Sequence, residues 1–285
     1  MKECANKKML DSVGGELIQT GMNLIRKGQE MLAKSKYNTI TVVSRWYNEE
    51  ILAPFFLEHY SYADEIIILL DEKTTDGSRK IIERYPNTRI IDFACTGEYN
   101  VQEASNAIMK VVYELSTDWI ICADPDEFVF PKGFVDVREV LAEVDGNVVY
   151  ADMWQVYRNK IEADLDPTVK AIHMRRFGEP SREPSVVKRM DKKPIIVRSG
   201  LNLKWCVGLH AFEPDEKLKV SSTVFDGAHW KMADVELAIA RRLRGRREHV
   251  SETNVQAGWA CDDFDITERD IRKECEKHLD DPQLF

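Results

Sequence analysis

The six cysteines (Cys4, Cys95, Cys122, Cys206, Cys261 and Cys275) include no CxxC pair. That withdraws support from a zinc ribbon or a dithiol redox centre and makes free thiols in a reducing compartment the expectation. No apolar run approaches the roughly 20 residues needed to cross a bilayer, so no transmembrane segment is expected. The opening MKECANKKML lacks the apolar core of a secretory signal, and a cytoplasmic location is the expectation that follows. Positive charge is also in short supply. Forty Lys and Arg against 49 Asp and Glu give a formal net charge of -9, which argues against a general coat for nucleic acid or anionic membrane. No internal repeat is found. What remains is an ordinary globular composition, 44% apolar and 31% charged over 285 residues, enough for one large domain or two modest ones.

Apolar segments alternate with amphipathic ones along the first half. Residues 10–34 carry Leu17, Ile18, Leu24, Ile25, Met31 and Leu32 at helical spacing and predict a lead-in helix. TITVVS (39–44), EIIILLD (65–71), TRIIDF (88–93) and DWIICAD (118–124) read as buried strands. The helices expected between them are NEEILAPFFLEHYSY, RKIIERY and VQEASNAIMKVVYELS. Continuous apolar strands separated by amphipathic helices imply a parallel sheet covered on both faces. Right-handed crossovers then set the carboxyl ends of the strands along one edge, where open α/β sheets bind ligands. Beyond residue 131 the pattern turns mixed. FVDVREVLAEV predicts a helix, and NVVYADMWQVYR, AIHMRRF, SVVKRM, PIIVRS and NLKWCVGLHAF predict strands. Residues 159–184 read as an excursion, and 232–247 and 267–279 as helices.

Within this frame CADPDEFVF (122–130) crowds Asp124, Asp126 and Glu127 beside a buried strand. Unpaired, such charges cost several kcal/mol each to desolvate, so a basic side chain, an edge of bulk water or a metal ion is expected there. Asp71 also ends an apolar strand and is expected to face the same crevice as Asp124. Each of these strand-end acids has a plainer role open to it, as a cap on the following turn.

The order VVSRWYNEE, IIILLDEKTTDGS, DWIICADPDEF resembles the family 2-like glycosyltransferases of the GT-A fold, in the subgroup whose Asp-x-Asp continues as DEF. The resemblance covers residues 38–135 well; beyond them only His229–Trp230 and the helix that follows look familiar. It implies a mostly parallel Rossmann-like α/β sheet flanked by helices, with a smaller mixed β region and C-terminal helices. With the lead-in helix set apart as an N-terminal segment (1–37), the expectation is one catalytic domain (38–285), divided into a donor-binding half (38–135) and an acceptor half (136–285). The activity implied is inverting, metal-dependent transfer of a sugar from a nucleoside-diphosphate sugar to a hydroxyl. The acceptor would be a glycan, a lipid-linked or a small molecule, with a modified DNA base ranked behind them. A nucleotidyltransferase is the alternative, although SRWYNEE lacks that class's glycine- and lysine-rich phosphate loop; a non-catalytic nucleotide-sugar-binding protein is another.

The chemistry implied needs positive charge where a diphosphate departs, and Mn2+ or Mg2+ on hard oxygens supplies it. Asp126 is the first choice for a direct ligand, with Asp124 on the ribose or the metal and Glu127 either an orienter or a solvated surface group. His229 and His210 compete for a further metal position, each with the alternative of a packed core histidine. Asn48, Glu49, Asp71, Gln102 and Asn106 are expected around the donor, and Lys188 or Lys231 at its diphosphate. Asn48 and Asn100 have helix caps as alternatives, and Asp76–Gly77–Ser78 reads first as a turn. For the base that takes the acceptor's proton, Glu213, Asp215 and Asp234 are candidates, Asp234 being equally a helix N-terminal charge. Arg241, Arg242, Arg244, Arg246 and Arg247 read first as a solvated helix end. The other reading of that cluster is a contact for an anionic lipid headgroup or a hydroxylated base in DNA.

Overall fold

The described residues of the computed structural model are 20–29, 38–180, 192–213, 217–246, 249–259 and 266–285. In chain order the elements are helix α1 (20–29), strand β1 (Ile40–Trp46), α2 (Ala53–His59), β2 (Glu65–Asp71), α3 (Ser78–Ile82), β3 (Thr88–Phe93), α4 (Val101–Glu114), β4 (Trp119–Cys122) and β5 (Glu127–Pro131). There follow α5 (Val137–Ala142), β6 (Val148–Tyr157), α6 (Ala171–Met174), β7 (Phe177–Pro180), β8 (Lys192–Arg198), a short 3-10 turn (Val207–Leu209) and β9 (Val220–Met232). Helix α7 (Val235–Ile239) runs on as a π-helical segment (Ala240–Arg246) and is followed by α8 (Glu252–Ala257) and α9 (Glu268–Lys277).

Two compact units result. Among the described residues, 20–29, 38 and 135–143 form the first; those within 39–134 and 144–285 form the second. In the first, α1 leaves Met22, Leu24 and Ile25 exposed, and α5 is capped by Asp136, whose carboxylate accepts the Arg138 and Glu139 N–H groups at 2.7 and 3.2 Å.

The second unit is built on one sheet of order β3-β2-β1-β4-β8-β6-β9-β5, with β7 paired to β6. Strands β3, β2, β1 and β4 are mutually parallel, and the apolar residues of β1, β2 and β4 are buried on both faces. This is the parallel half that their unbroken apolar runs imply. Past β4 the sheet is mixed: β8 joins antiparallel, β6 is antiparallel to β8 and parallel to β9, and β5 is antiparallel to β9. The α/β class, with a mixed β region following a parallel half, is the one expected.

Several local expectations differ. Residues 171–174 of AIHMRRF form α6, not a strand; only Phe177–Pro180 pair, as β7. Residues 202–212 hold a single Trp205–Phe212 bridge around the 3-10 turn. Strand β5, unforeseen, follows the DPD turn directly, and Tyr60 fixes it by donating its hydroxyl to the Glu127 carbonyl (2.9 Å) and accepting the Val129 N–H (3.1 Å). SVVKRM lies outside the described residues.

Candidate active site

The register of β1 with β2 and β4 brings three strand ends to one edge: Arg45 near the end of β1 with Asn48 and Glu49 beyond it, Asp71 at the end of β2, and Asp124 to Glu127 after β4. The DPDE stretch is a closed β-turn. Glu127 N–H donates to the Asp124 carbonyl at 2.9 Å, and Pro125 occupies the position whose φ such turns preset. The Glu127 carboxylate closes the turn a second time by accepting the Asp124 N–H at 2.8 Å. It is 4% exposed, so it orients the turn and is no solvated surface group.

Basic side chains answer the crowding. Lys193 on β8, 2% exposed, donates to both Glu127 oxygens at 2.6 and 2.7 Å and to Asp124 Oδ2 at 3.2 Å. Arg45 Nε stands 3.3 Å from Asp124 Oδ1. Arg241, in the π-helical segment, donates Nε–H and Nη2–H to the two Glu49 oxygens at 2.8 and 2.9 Å, and Nη1–H to Asp126 Oδ2 at 2.5 Å. His229 Nε2 lies 3.5 Å from that same Asp126 oxygen. Burial raises the Asp124 carboxyl, but Lys193 and Arg45 outweigh it and hold the group well below the usual carboxylate range. Burial likewise depresses Lys193, and Asp124 and Glu127 more than reverse that. For Glu127 burial prevails over Lys193 and the shift is upward.

A second cluster surrounds Asp71. Its Oδ1 accepts the Lys73 N–H at 2.8 Å and its Oδ2 lies 3.2 Å from His249 Nε2. His249 Nδ1 is 2.5 Å from Glu98, and the Tyr47 ring lies over the imidazole at a centroid distance of 4.2 Å. Asn254, fully buried, ties this segment down by accepting the Val101 N–H (3.1 Å) and donating to the Tyr99 carbonyl (2.9 Å). Beside α4 runs an open groove of about 550 Å³ whose lining includes Gln102, Asn106, Tyr113, Lys204, Trp205 and Glu213.

The model of the family described as "Glycosyl transferase family 2" matches residues 42–193, more than half of the chain. The chain belongs to glycosyl transferase family 2. Comparison with curated protein sequences gives no match. Among solved structures it is similar to glucosyl-3-phosphoglycerate synthase from Mycobacterium tuberculosis in complex with Mn2+, uridine diphosphate and phosphoglyceric acid. The identity is 17% and the TM-score 0.31, over 45% of this chain and 46% of that one, so the match spans less than half of the synthase. It is also similar to S. aureus TarS 1-349 in complex with UDP, at 13% identity and TM-score 0.39, over 70% of this chain and 63% of that one.

For this family 2 chain the expected dication can be tested against the side chains. Mn2+ or Mg2+ needs carboxylate oxygens free to ligate. Here Asp126 Oδ2 is held by Arg241, and the two Asp124 oxygens face Arg45 and Lys193. Among the described residues no three His, Cys, Asp or Glu side chains are grouped to hold a metal ion. The arrangement does not fit the ion, and it differs from the expected ligand set of Asp124, Asp126, His229 and His210. The physical reason is that each aspartate already has a side-chain cation. His210 caps the 3-10 turn, close enough to Asp124 for its charge to favour the carboxylate.

The other expected residues divide. Glu49 and Asp71 lie at the sheet edge, both buried. Asn48, at φ 52°, caps no helix; its Oδ1 accepts the Thr75 and Asp76 N–H groups at 2.8 and 3.3 Å and ties the first loop to the second. Asp76 accepts from Ser78, as the turn reading held. Asn100 caps α4, while Gln102 donates to Asn106 at 3.0 Å. Asp234 caps α7 and sits 3.5 Å from the buried Arg175. Glu213 is exposed, 3.5 Å from Lys204. Lys188 and Asp215 lie outside the described residues. The solvated reading of the arginine cluster is corrected for two members: Arg241 and Arg242 are buried, Arg241 because Glu49 and Asp126 need a cation, while Arg242 turns to Met232 Sδ at 3.4 Å. Arg45, Lys193 and His249 were not foreseen. Arg45 stands inside VVSRWYNEE, whereas no motif marks the other two.

Proposed function

We propose that this chain transfers a sugar from a nucleoside-diphosphate sugar to a hydroxyl acceptor, with inversion. One observation carries the reading: in a family 2 chain, Glu49, Asp71 and the DPD turn converge with Arg45 and Arg241 at the carboxyl edge of a parallel sheet. Such an edge receives nucleotides, and guanidinium groups suit a diphosphate. Asp71 and Asp124 are then assigned to the nucleoside, while Glu49, whose two carboxylate oxygens hold Arg241, positions that guanidinium. The groove beside α4 is assigned to the acceptor; its polar Gln102, Asn106 and Glu213 and its aromatic Tyr113 and Trp205 suit a hydroxylated molecule.

Glu213 lines that groove, whereas Asp234 is spent on the α7 cap, so Glu213 is the proposed base. It takes the acceptor hydroxyl's proton as the oxygen attacks the anomeric carbon. The bond from that carbon to the phosphate oxygen breaks on the opposite side, and its electron pair leaves with the diphosphate.

The test is to incubate the protein with a panel of nucleotide sugars and hydroxylated acceptors, measuring nucleoside diphosphate release and the mass of the acceptor. Glycosylated acceptor is expected, with kcat lowered roughly 10²–10⁴-fold by Glu213→Gln. Pyrophosphate release would select a nucleotidyltransferase instead. Binding without turnover would select a non-catalytic receptor.

A further inference from the structure

The two guanidinium groups at the DPD turn carry N–H donors that no described protein group uses. Arg45 meets Asp124 through Nε, and its Nη1 is buried without a hydrogen-bond partner. Arg241 makes three hydrogen bonds, to Glu49 twice and to Asp126 once. A guanidinium has five N–H groups, so two remain among the described residues. Leaving a buried donor such as Arg45 Nη1 unmatched is costly, and it calls for an acceptor at the turn that both guanidinium groups approach. That acceptor has to be anionic, because both donors carry fixed positive charge, and a phosphate oxygen array matches the planar fork.

The groups are also held in place. Arg241 is gripped in a two-point contact by Glu49 and from a third side by Asp126, all three residues being buried. Arg45 is the penultimate residue of β1 and reaches the same turn through Asp124, two residues from Asp126. Arg241 already holds Asp126 Oδ2, so a dication on this carboxylate would have to sit beside the guanidinium charge. Fixed donors aimed at the place where charge develops are the cheaper arrangement, since nothing reorganises as the bond breaks.

We propose that Arg45 and Arg241 bind the donor's diphosphate directly, and that transfer by this chain needs no divalent cation. The inference rests on the nucleotide-sugar reading above. In the step concerned, the electron pair of the breaking bond passes to the phosphate oxygen, which accepts guanidinium N–H bonds while both arginines stay protonated. The acceptor's proton goes to Glu213. Asp126 and Glu49 act as positioning residues that hold Arg241.

The experiment measures calorimetric binding of inorganic pyrophosphate, UDP, GDP and ADP, and turnover of the donor panel. Each is run once in EDTA and once with excess MnCl2. Binding and turnover are expected to be equal in the two. Arg45→Gln is expected to weaken diphosphate binding about tenfold or more while uridine and the other nucleosides bind as before. Arg241→Gln takes the guanidinium away from Glu49 and Asp126 and can fail to fold, so Glu49→Gln with Arg241→Gln serves as its second form, checked by circular dichroism. Diphosphate binding or transfer that appears only with Mn2+ overturns the inference and leaves the glycosyltransferase reading standing. So does wild-type diphosphate affinity in a folded Arg45→Gln protein. Diphosphate binding that survives EDTA and fails in Arg45→Gln, with no donor ever turned over, supports the diphosphate site and overturns the transferase reading instead.

Discussion

Lys193→Met isolates the charge balance of the DPD turn. Methionine keeps the length and apolar stem of lysine and deletes only the ammonium. Glu127, 4% exposed, then loses contacts at 2.6 and 2.7 Å and keeps, among the described partners of its carboxylate, the Asp124 N–H. Asp124 keeps Arg45, so the uncompensated charge falls on Glu127. Breaking a buried pair by removing one partner costs about 3–5 kcal/mol, and that is the destabilisation expected at pH 8.

The pH dependence has a definite sign. In the native protein the raised pKa of Lys193 gives a contribution fully present below its unfolded value of about 10.4 and lost only as pH rises through the folded value. Between pH 5 and 8 that contribution is constant. In the variant, burial that already raises Glu127 acts without opposition from an ammonium. A carboxyl raised above its unfolded value of about 4.3 binds a proton on folding, so stability is highest below that value and falls as pH climbs through the folded pKa. The difference between variant and native protein should therefore shrink from pH 8 to pH 5. Adding Glu127→Gln should restore part of the loss at pH 8. Urea unfolding followed by tryptophan fluorescence at both pH values measures this. A deficit under about 1 kcal/mol at pH 8, or one equal at both, would refute the reasoning, because a buried unpaired carboxylate must show both.

Asn254→Ala removes the side chain that matches the Val101 N–H and the Tyr99 carbonyl inside the fold. It should lower unfolding free energy by about 1–3 kcal/mol in urea titration and raise hydrogen exchange at Val101 first. Tyr60→Phe strips the hydroxyl that bridges Glu127 and Val129, with a similar expected cost of roughly 1–3 kcal/mol. The exchange gained there should be confined to β5, which carries the end of the DPD turn.

The parallel half of the fold is legible because each strand's own residues report its surroundings. An unbroken apolar run such as Ile66–Leu70 fits only a strand covered on both faces, and those residues are buried. The mixed half is not legible in this way. Strand β5 is five residues long and begins on a charged turn residue, so neither length nor alternation marks it. AIHMRRF alternates well enough to pass for a strand, yet its first four residues turn as α6. Short segments take their state from partners far along the chain, and the local pattern does not name those partners.

The same division runs through the site. The acids are legible because each ends a strand; the bases are not, because they arrive from elsewhere. Lys193 is 69 positions from Asp124, Arg241 is 115 from Asp126, and His249 is 178 from Asp71. Yet desolvation supplies a constraint that distance does not weaken. Three carboxylates beside a buried strand demand a water edge, a metal or bases, and Glu49 adds a fourth. A run of five arginines is the richest source of bases in the chain, so the solvated reading of all five leaves that demand unmet. Helix-end arginines on a surface gain a few tenths of a kcal/mol to about 1 from the dipole, whereas an unpartnered buried carboxylate costs several. Desolvation outweighs the dipole. It takes Arg241 inside, and it places a guanidinium where the resemblance alone puts an ion.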